Sequence, residues 1–182
     1  MTPDETFEHR RIAYRQAGYA VAAAMQARSF GALSIAPMER AVTQAFEPRK
    51  PGREPMHVDL QSKARHRIEL EVVALWAGLL SETNACFEGE TPPEGWGPGY
   101  QRILELGDRV TSSPEENRAF AGWLRCRAAT LLTLGDVQGM VEETAARVLN
   151  QGVLSSQEVR AILGRQGKEA RQRRGFFGLG RS

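Results

Sequence analysis

The stretch RRIAYRQAGYAVAAAM, residues 10–25, decides the fold. Its apolar side chains recur at intervals of three and four residues, the period of a helix with one buried stripe; they are Ile12, Ala13, Ala17, Ala20, Val21 and Ala24. Arg15 and Tyr19 are four positions apart, so a helix presents both side chains on the same face. The stretch therefore predicts an amphipathic helix with the segment RQAGY, residues 15–19, near its middle.

This segment has the spacing of a zinc-peptidase helix. Such a helix places two histidines four residues apart, with a glutamate after the first as general base, in the pattern H-E-x-x-H. Here the three positions hold Arg15, Gln16 and Tyr19. The longer run AYRQAGYAVAA, residues 13–23, resembles the zinc helix of the FtsH-like zinc metallopeptidase family, usually A-x-H-E-A-G-H-A-V. An ordinary core helix, with Gly18 admitting a close neighbour, is the alternative interpretation.

Three later segments resemble the same family in the same order. Residues 32–43 are similar to the first part of its V-x-x-I-x-P-x-x-x-A-x-G-x-T pattern, and residues 77–82, AGLLSE, resemble its A-G-x-x-A-E segment. Residues 95–103 align with G-x-x-S-D-x-x-x-A, in which the aspartate is the third zinc ligand and Gly99 takes its place. Over residues 9–164 the resemblance implies an α+β fold, mostly α-helical, in which a helical bundle carries a small β-hairpin, as in the FtsH peptidase domain.

The same resemblance implies that catalysis has been lost. The ligand positions are filled by Arg15, Tyr19 and Gly99, and the base position by Gln16. A catalytic zinc site usually takes at least about three ligands from the protein, and arginine would place a permanent positive charge beside the metal. The histidines, at positions 9, 57 and 66, do not pair at helical ligand spacing. We therefore expect a pseudopeptidase that is not an enzyme and that uses no metal and no cofactor.

The former substrate groove is the expected binding site. The resemblance implies that the edge strand of the hairpin receives a peptide, and that the cleft is lined by Arg15, Tyr19, Val42, Thr43, Gln44, Glu82 and Tyr100. If Arg15 is buried it needs a partner, so we expect it to pair with Glu82 or to stack on Tyr19. Gly18 and Gly78 are expected to bring the first two long helices close together.

Periodicity and capping signals predict the remaining elements. Helices are expected at about 4–28 and 59–87, from the Ser113 cap to about 134, at about 136–149, and after a Ser155–Glu158 capping box. Alternating residues predict strands at 30–36 and 41–46 that form a hairpin turning at 38–40. Residues 47–58 and 91–99 are rich in proline or glycine and are expected to be loops, the first either a lid or a connector.

Composition favours one soluble domain. Of 182 residues, 41% are apolar and 25% are charged, which suits a globular chain. No apolar run is long enough to cross a bilayer, the N-terminus has no secretory character, and no phosphate-binding loop accompanies the peptidase-like part. Cys86 and Cys126 have no metal-ligand spacing and are expected to be reduced thiols. We therefore expect a cytoplasmic protein with one domain, residues 1–164, and no membrane span.

Residues 165–182 form a separate basic tail. The segment carries a net charge of +5 in a chain of +2, so residues 1–164 carry −3. It is expected either to be a flexible, solvated end or to contact nucleic acid or an acidic protein surface through Arg171, Arg173 and Arg174. Phe176 and Phe177 are apolar and resemble a short docking peptide.

Taken together, the patterns predict a catalytically inactive FtsH-like pseudopeptidase. It would bind a protein or peptide as an adaptor, regulatory or assembly subunit, and a homo-oligomer is compatible with the sequence. The alternatives are a nucleic-acid-associated protein that uses the basic tail, and an enzyme of different chemistry that reuses the cleft. The salt dependence of binding distinguishes nucleic-acid binding from peptide binding, because phosphate binding weakens steeply with salt whereas strand addition does not.

The loss of the ligand set makes a prediction about metal content. We expect the purified protein to contain far less than one zinc per chain, because residues 15, 19 and 99 supply no ligand set. Elemental analysis after exhaustive dialysis measures this. About one tightly held zinc per chain would contradict the expectation.

Overall fold

The computed structural model describes residues 3–35, 62–92 and 95–165, which form six helices and one two-stranded sheet. The helices are α1 (Pro3–Met25), α2 (Ser62–Cys86), α3 (Gly97–Gly107), α4 (Pro114–Thr133), α5 (Val137–Gln151) and α6 (156–165). The strands are β1 (Leu33–Ser34) and β2 (Val153–Leu154). The expectation of a mostly helical α+β chain with a small sheet is confirmed.

Helix α1 begins and ends as its sequence favours. Asp4 and Glu5 lie in the first turn, where carboxylates complement the positive end of the helix dipole. The helix ends where Ala27 takes a positive φ of 56°, and the Arg28 amide donates to the Ala23 carbonyl at 2.8 Å. This is a Schellman-type end, which normally uses glycine. The predicted helix 4–28 is therefore three residues too long at its end, because residues 26–28 form this cap.

Helix α2 is the centre of the bundle. Residues 72–83 are all buried, so the helix is enclosed on every side along this length. It packs against α1, α3 and α4, while α5 packs against α1. The apolar run predicted to form the central core helix does so.

Two glycines set the distance between α1 and α2. A methyl group at Gly18 would lie 2.3 Å from the Ser81 Oγ atom and 2.5 Å from the Ala77 carbonyl oxygen. A methyl group at Gly78 would lie 2.6 Å from the Arg15 carbonyl oxygen. Since these separations are below van der Waals contact, only glycine allows the two backbones to pack this closely. The expected close approach at Gly18 and Gly78 is confirmed.

The sheet joins two distant parts of the chain. Strand β1 runs antiparallel to β2, with Leu33 opposite Leu154 and Ser34 opposite Val153. The first predicted strand, 30–36, contains β1, whereas the predicted partner 41–46 and its turn at 38–40 lie outside the described residues, as does the loop 47–58. Strand β2 was not predicted, because two residues carry no periodicity.

The capping signals of the C-terminal helices are confirmed. Ser113 caps α4 by accepting a hydrogen bond from the Glu116 amide at 3.1 Å. Before α6, the Ser155 amide donates to the Glu158 carboxylate at 2.8 Å, and the Glu158 amide donates to the Ser155 hydroxyl at 3.3 Å. These reciprocal bonds form a capping box. The loop predicted at 91–99 is shorter than expected, because α3 already begins at Gly97.

The close contact makes a prediction in which the same substitution has opposite effects at two sites. Gly18→Ala should lower the free energy of unfolding by about 1–3 kcal/mol, because the added methyl group overpacks a rigid contact. Gly122→Ala, in α4, meets no atom within 4 Å and should raise it by about 0.5–1 kcal/mol through helix propensity. Urea unfolding of both variants measures these changes. Equal effects at the two sites would contradict the contact.

Candidate functional site

Arg15 and Glu82 form the centre of the candidate site. The Glu82 side chain is buried, with the residue 1% exposed. The Arg15 Nη2 atom donates to the Glu82 Oε1 atom at 2.7 Å, and the Arg15 Nε atom donates to Oε2. The expected pairing of Arg15 with Glu82 is thus confirmed. A planar guanidinium bound to both carboxylate oxygens is a strong and geometrically specific ion pair.

A second arginine completes this ion-pair network. The Arg11 Nε atom donates to the Glu82 Oε1 atom at 2.8 Å, and Arg11 also pairs with Glu8 at 3.3 Å. Two carboxylates and two guanidiniums therefore balance in charge. Because a buried charge without a partner is costly, the network gives Glu82 the compensation that its burial requires. We call Glu8, Arg11, Arg15 and Glu82 the arginine–glutamate network.

Tyr19 belongs to a separate polar contact between the same two helices. Its hydroxyl donates to the Glu71 Oε1 atom at 3.2 Å, and Arg28 pairs with the same carboxylate. Burial, helped by the Glu71 charge, holds the pKa of the Tyr19 phenol well above its usual range. The phenol is therefore a neutral hydrogen-bond donor, and it links α1 to α2.

Gln16, at the position that the resemblance assigns to a general base, binds the backbone of β1. Its Nε2 atom donates to the Ser34 carbonyl oxygen at 2.7 Å, and its Oε1 atom accepts from the Ser34 amide at 2.7 Å. A carboxamide can donate and accept at once, whereas an ionised glutamate only accepts. A glutamate here would face the Ser34 carbonyl with a like partial charge. Glutamine is thus the residue that holds β1 against α1.

Gly99 and Tyr100 pack against a different face of α2 from the one that contacts α1. Gly99 packs on Leu79, where an added methyl group would lie 2.9 Å from Cδ2, and the Tyr100 ring lies 5.6 Å from the Trp76 ring. With 3.6 residues per turn, position 79 lies about 80° and position 76 about 140° around the helix from positions 71, 78 and 82, which face α1. Val42, Thr43 and Gln44 lie outside the described residues.

The residues at the positions that the resemblance assigns to metal ligands do not fit a zinc ion. Arg15 carries a positive charge and already binds Glu82, Tyr19 is a neutral donor to Glu71, and Gly99 has no side-chain donor atom. Within residues 3–35, 62–92 and 95–165, no group of three or more His, Cys, Asp or Glu side chains could hold a metal.

Comparison with protein-family models and with curated proteins finds no match for this chain. The resemblance to FtsH-like peptidases therefore rests on the motifs and their order.

Among the helices of the described residues, none combines the length and apolar character needed to span a membrane. The tail residues Arg171, Arg173, Arg174, Phe176 and Phe177 lie outside the described part of the chain.

Sequence reasoning missed five residues of these contacts: Glu8, Arg11, Arg28, Ser34 and Glu71. Helical spacing carried a signal for Arg11 and Glu71. Arg11 lies one turn before Arg15, on the same face of α1. Glu71 lies eleven positions, or three turns, before Glu82 on α2. Ser34 had no such signal, because it contributes only backbone atoms.

The buried network predicts a large effect of neutralising Glu82. Glu82→Gln should lower the free energy of unfolding by about 3–5 kcal/mol, because two guanidiniums lose their shared buried anion. The matched control is Glu105→Gln, since Glu105 forms an exposed helical pair with Arg102 at 2.8 Å and should cost no more than about 1 kcal/mol. Urea unfolding measures both. A Glu82→Gln effect as small as that of the control would show that the network is not stabilising.

Proposed function

We propose that this protein is a catalytically inactive relative of the FtsH-like zinc peptidases that binds a protein or peptide partner. In that role it would be an adaptor, a regulatory subunit or an assembly subunit. The observation that carries the proposal is the engagement of Arg15, Gln16 and Tyr19, each of which contacts another element of the fold. On this proposal, the positions of the zinc helix have acquired structural roles.

The Gln16 contact is the strongest support for this change of role. In the family that the sequence resembles, position 16 holds a general base that acts on water. Here its amide matches the donor and acceptor of Ser34 at 2.7 Å each. A restored glutamate would lose one of these hydrogen bonds and would carry a charge beside a carbonyl oxygen. The chain is thus adapted to glutamine at this position.

Strand addition is the binding mode that we propose, at residues 41–46. Both edges of β1 are occupied where the structure describes it, since Ser34 binds Gln16 on one side and the Ile35 amide donates to the Gly152 carbonyl at 3.1 Å on the other. A peptide would therefore have to displace Gln16 to pair with Ser34, and the Ile35 amide is already bound. This favours the predicted strand 41–46, with Val42, Thr43 and Gln44, as the receiving edge.

A cytoplasmic location is part of the proposal. The chain has two cysteines, Cys86 and Cys126, and both are free thiols. Cys126 is exposed, whereas Cys86 is partly buried, and burial raises the pKa of its thiol. Unpaired cysteines are typical of a reducing compartment.

The proposal is tested with a display library of random, unstructured peptides. We expect one class of peptide to be enriched, and a synthetic copy to bind with little dependence on salt.

Proline variants test the receiving edge. Successive residues of a strand direct their backbone groups to opposite edges. One of two variants, Thr43→Pro or the pair Val42→Pro and Gln44→Pro, should therefore weaken binding about tenfold or more, because proline removes backbone hydrogen bonds to the peptide.

Alanine at the same positions is the control, because it keeps the backbone amide. Calorimetric titration measures each affinity, and circular dichroism verifies that each variant is folded. Incubating the selected peptide with the protein and added zinc should leave the peptide intact. Failure to enrich any peptide, or hydrolysis that follows the protein through purification, would contradict the proposal.

A further inference from the structure

A cluster of arginine and aromatic side chains lies where α2 packs on α4, and it shares no residue with the arginine–glutamate network. The Trp123 residue is 50% exposed, although it is the largest side chain of α4. The Arg127 guanidinium lies 5.1 Å from the centre of its ring, and the Phe120 ring lies 6.3 Å from it. The Arg65 guanidinium of α2 lies 5.7 Å from the Phe120 ring.

A single carboxylate contacts the basic members of this cluster. Glu69 accepts a hydrogen bond from Arg65 at 3.4 Å, and it lies 3.8 Å from the Arg127 guanidinium and 4.0 Å from the His66 ring. The Glu69 side chain is only 16% exposed, whereas the side chains of Arg65, His66 and Arg127 are 44%, 63% and 45% exposed. The carboxylate is therefore covered, and two guanidiniums, an imidazole and an indole ring form the accessible surface. We call Arg65, His66, Trp123 and Arg127 the arginine–tryptophan face.

The charge around this face is unusual for the domain. Residues 62–67, SKARHR, include four basic or titratable side chains and no acidic one, and Lys63 and Arg67 are exposed beside Arg65 and His66. Residues 1–164 as a whole carry a net charge of −3. A local excess of positive charge on a domain with negative net charge attracts anionic ligands to this face.

The exposed indole narrows the class of anion. An acidic peptide would bind the arginines through its carboxylates. Its carboxylates would make no favourable contact with the half-exposed indole ring of Trp123. A single-stranded nucleic acid alternates phosphates with flat bases, and both match this surface. Arginines neutralise phosphates, while an aromatic ring stacks on a base regardless of its identity. Duplex nucleic acid keeps its bases stacked inside and offers no partner for the indole.

We propose that the arginine–tryptophan face binds single-stranded nucleic acid without sequence specificity. Arg65 and Arg127 contact successive phosphates, and Trp123 stacks on the base between them. The proposal uses neither the arginine–glutamate network nor residues 41–46, so its test is separate from the test of peptide binding.

The test uses the full chain and a fluorescein-labelled twelve-residue oligothymidylate, with anisotropy as the readout. Trp123→Ala should weaken binding about five- to a hundred-fold, the effect expected when one base no longer stacks. Trp123→Tyr should restore most of the affinity, because the ring is kept. Arg65→Gln with Arg127→Gln should make the slope of log affinity against log salt shallower by about 0.7 for each phosphate that is no longer neutralised. A duplex of the same length should bind more weakly.

The matched controls are Leu134→Ala, which removes another exposed apolar side chain, 52% exposed, and Arg109→Gln, which removes an exposed arginine elsewhere. Because the basic tail is present in every variant, differences between variants report on the face alone. Three results would each overturn the proposal. They are losses of affinity no greater than those of the controls, binding of the duplex as tight as that of the single strand, and displacement of the oligothymidylate by polyglutamate to the same extent with and without the Trp123 ring.

Discussion

The rest of the structure depends on the contact of α1 with α2 at Gly18 and Gly78. Each glycine faces the backbone or a short side chain of the other helix at a separation that leaves no room for a methyl group. At this distance the carboxylate of Glu82 on α2 reaches the guanidiniums of α1. The close packing and the buried ion pairs are therefore a single constraint, because a wider separation would leave a buried anion without partners.

The same constraint explains why α1 resembles a zinc helix without having its chemistry. A helix that carries side chains at positions 15, 16 and 19 presents them to its neighbours, whatever those side chains are. In this chain the neighbours are Glu82 and Glu71 on α2 and the backbone of Ser34 on β1. Each contact is matched in charge or in hydrogen-bonding character, so all three positions stabilise the packing of α1.

Helical spacing made part of this arrangement predictable. The period of α1 and α2 follows from helical spacing. The Gly18–Gly78 approach and the Arg15–Glu82 pair were expected from the resemblance of residues 77–82, and both are present. The pairing of β1 with β2 was not predictable, because it joins residues about 120 positions apart through backbone groups. The same holds for the contact of Gln16 with Ser34. Tyr100 and Arg15 contact different faces of α2. This placement depends on the residue at which α3 begins, and glycine and proline locate that residue only approximately.

A double-mutant cycle of Gly18→Ala and Glu82→Gln tests the contact between α1 and α2 most directly. If the close packing and the buried ion pairs are a single constraint, the methyl group added at Gly18 already weakens the ion pairs of Glu82. Glu82→Gln should then cost at least about 1 kcal/mol less in the Gly18→Ala chain than in the unchanged chain, as measured by urea unfolding of all four proteins. The control cycle of Gly122→Ala and Glu82→Gln should be additive to within about 0.5 kcal/mol, because a methyl group at Gly122 meets no atom within 4 Å. An additive result for Gly18→Ala and Glu82→Gln would contradict the single constraint on which this account depends.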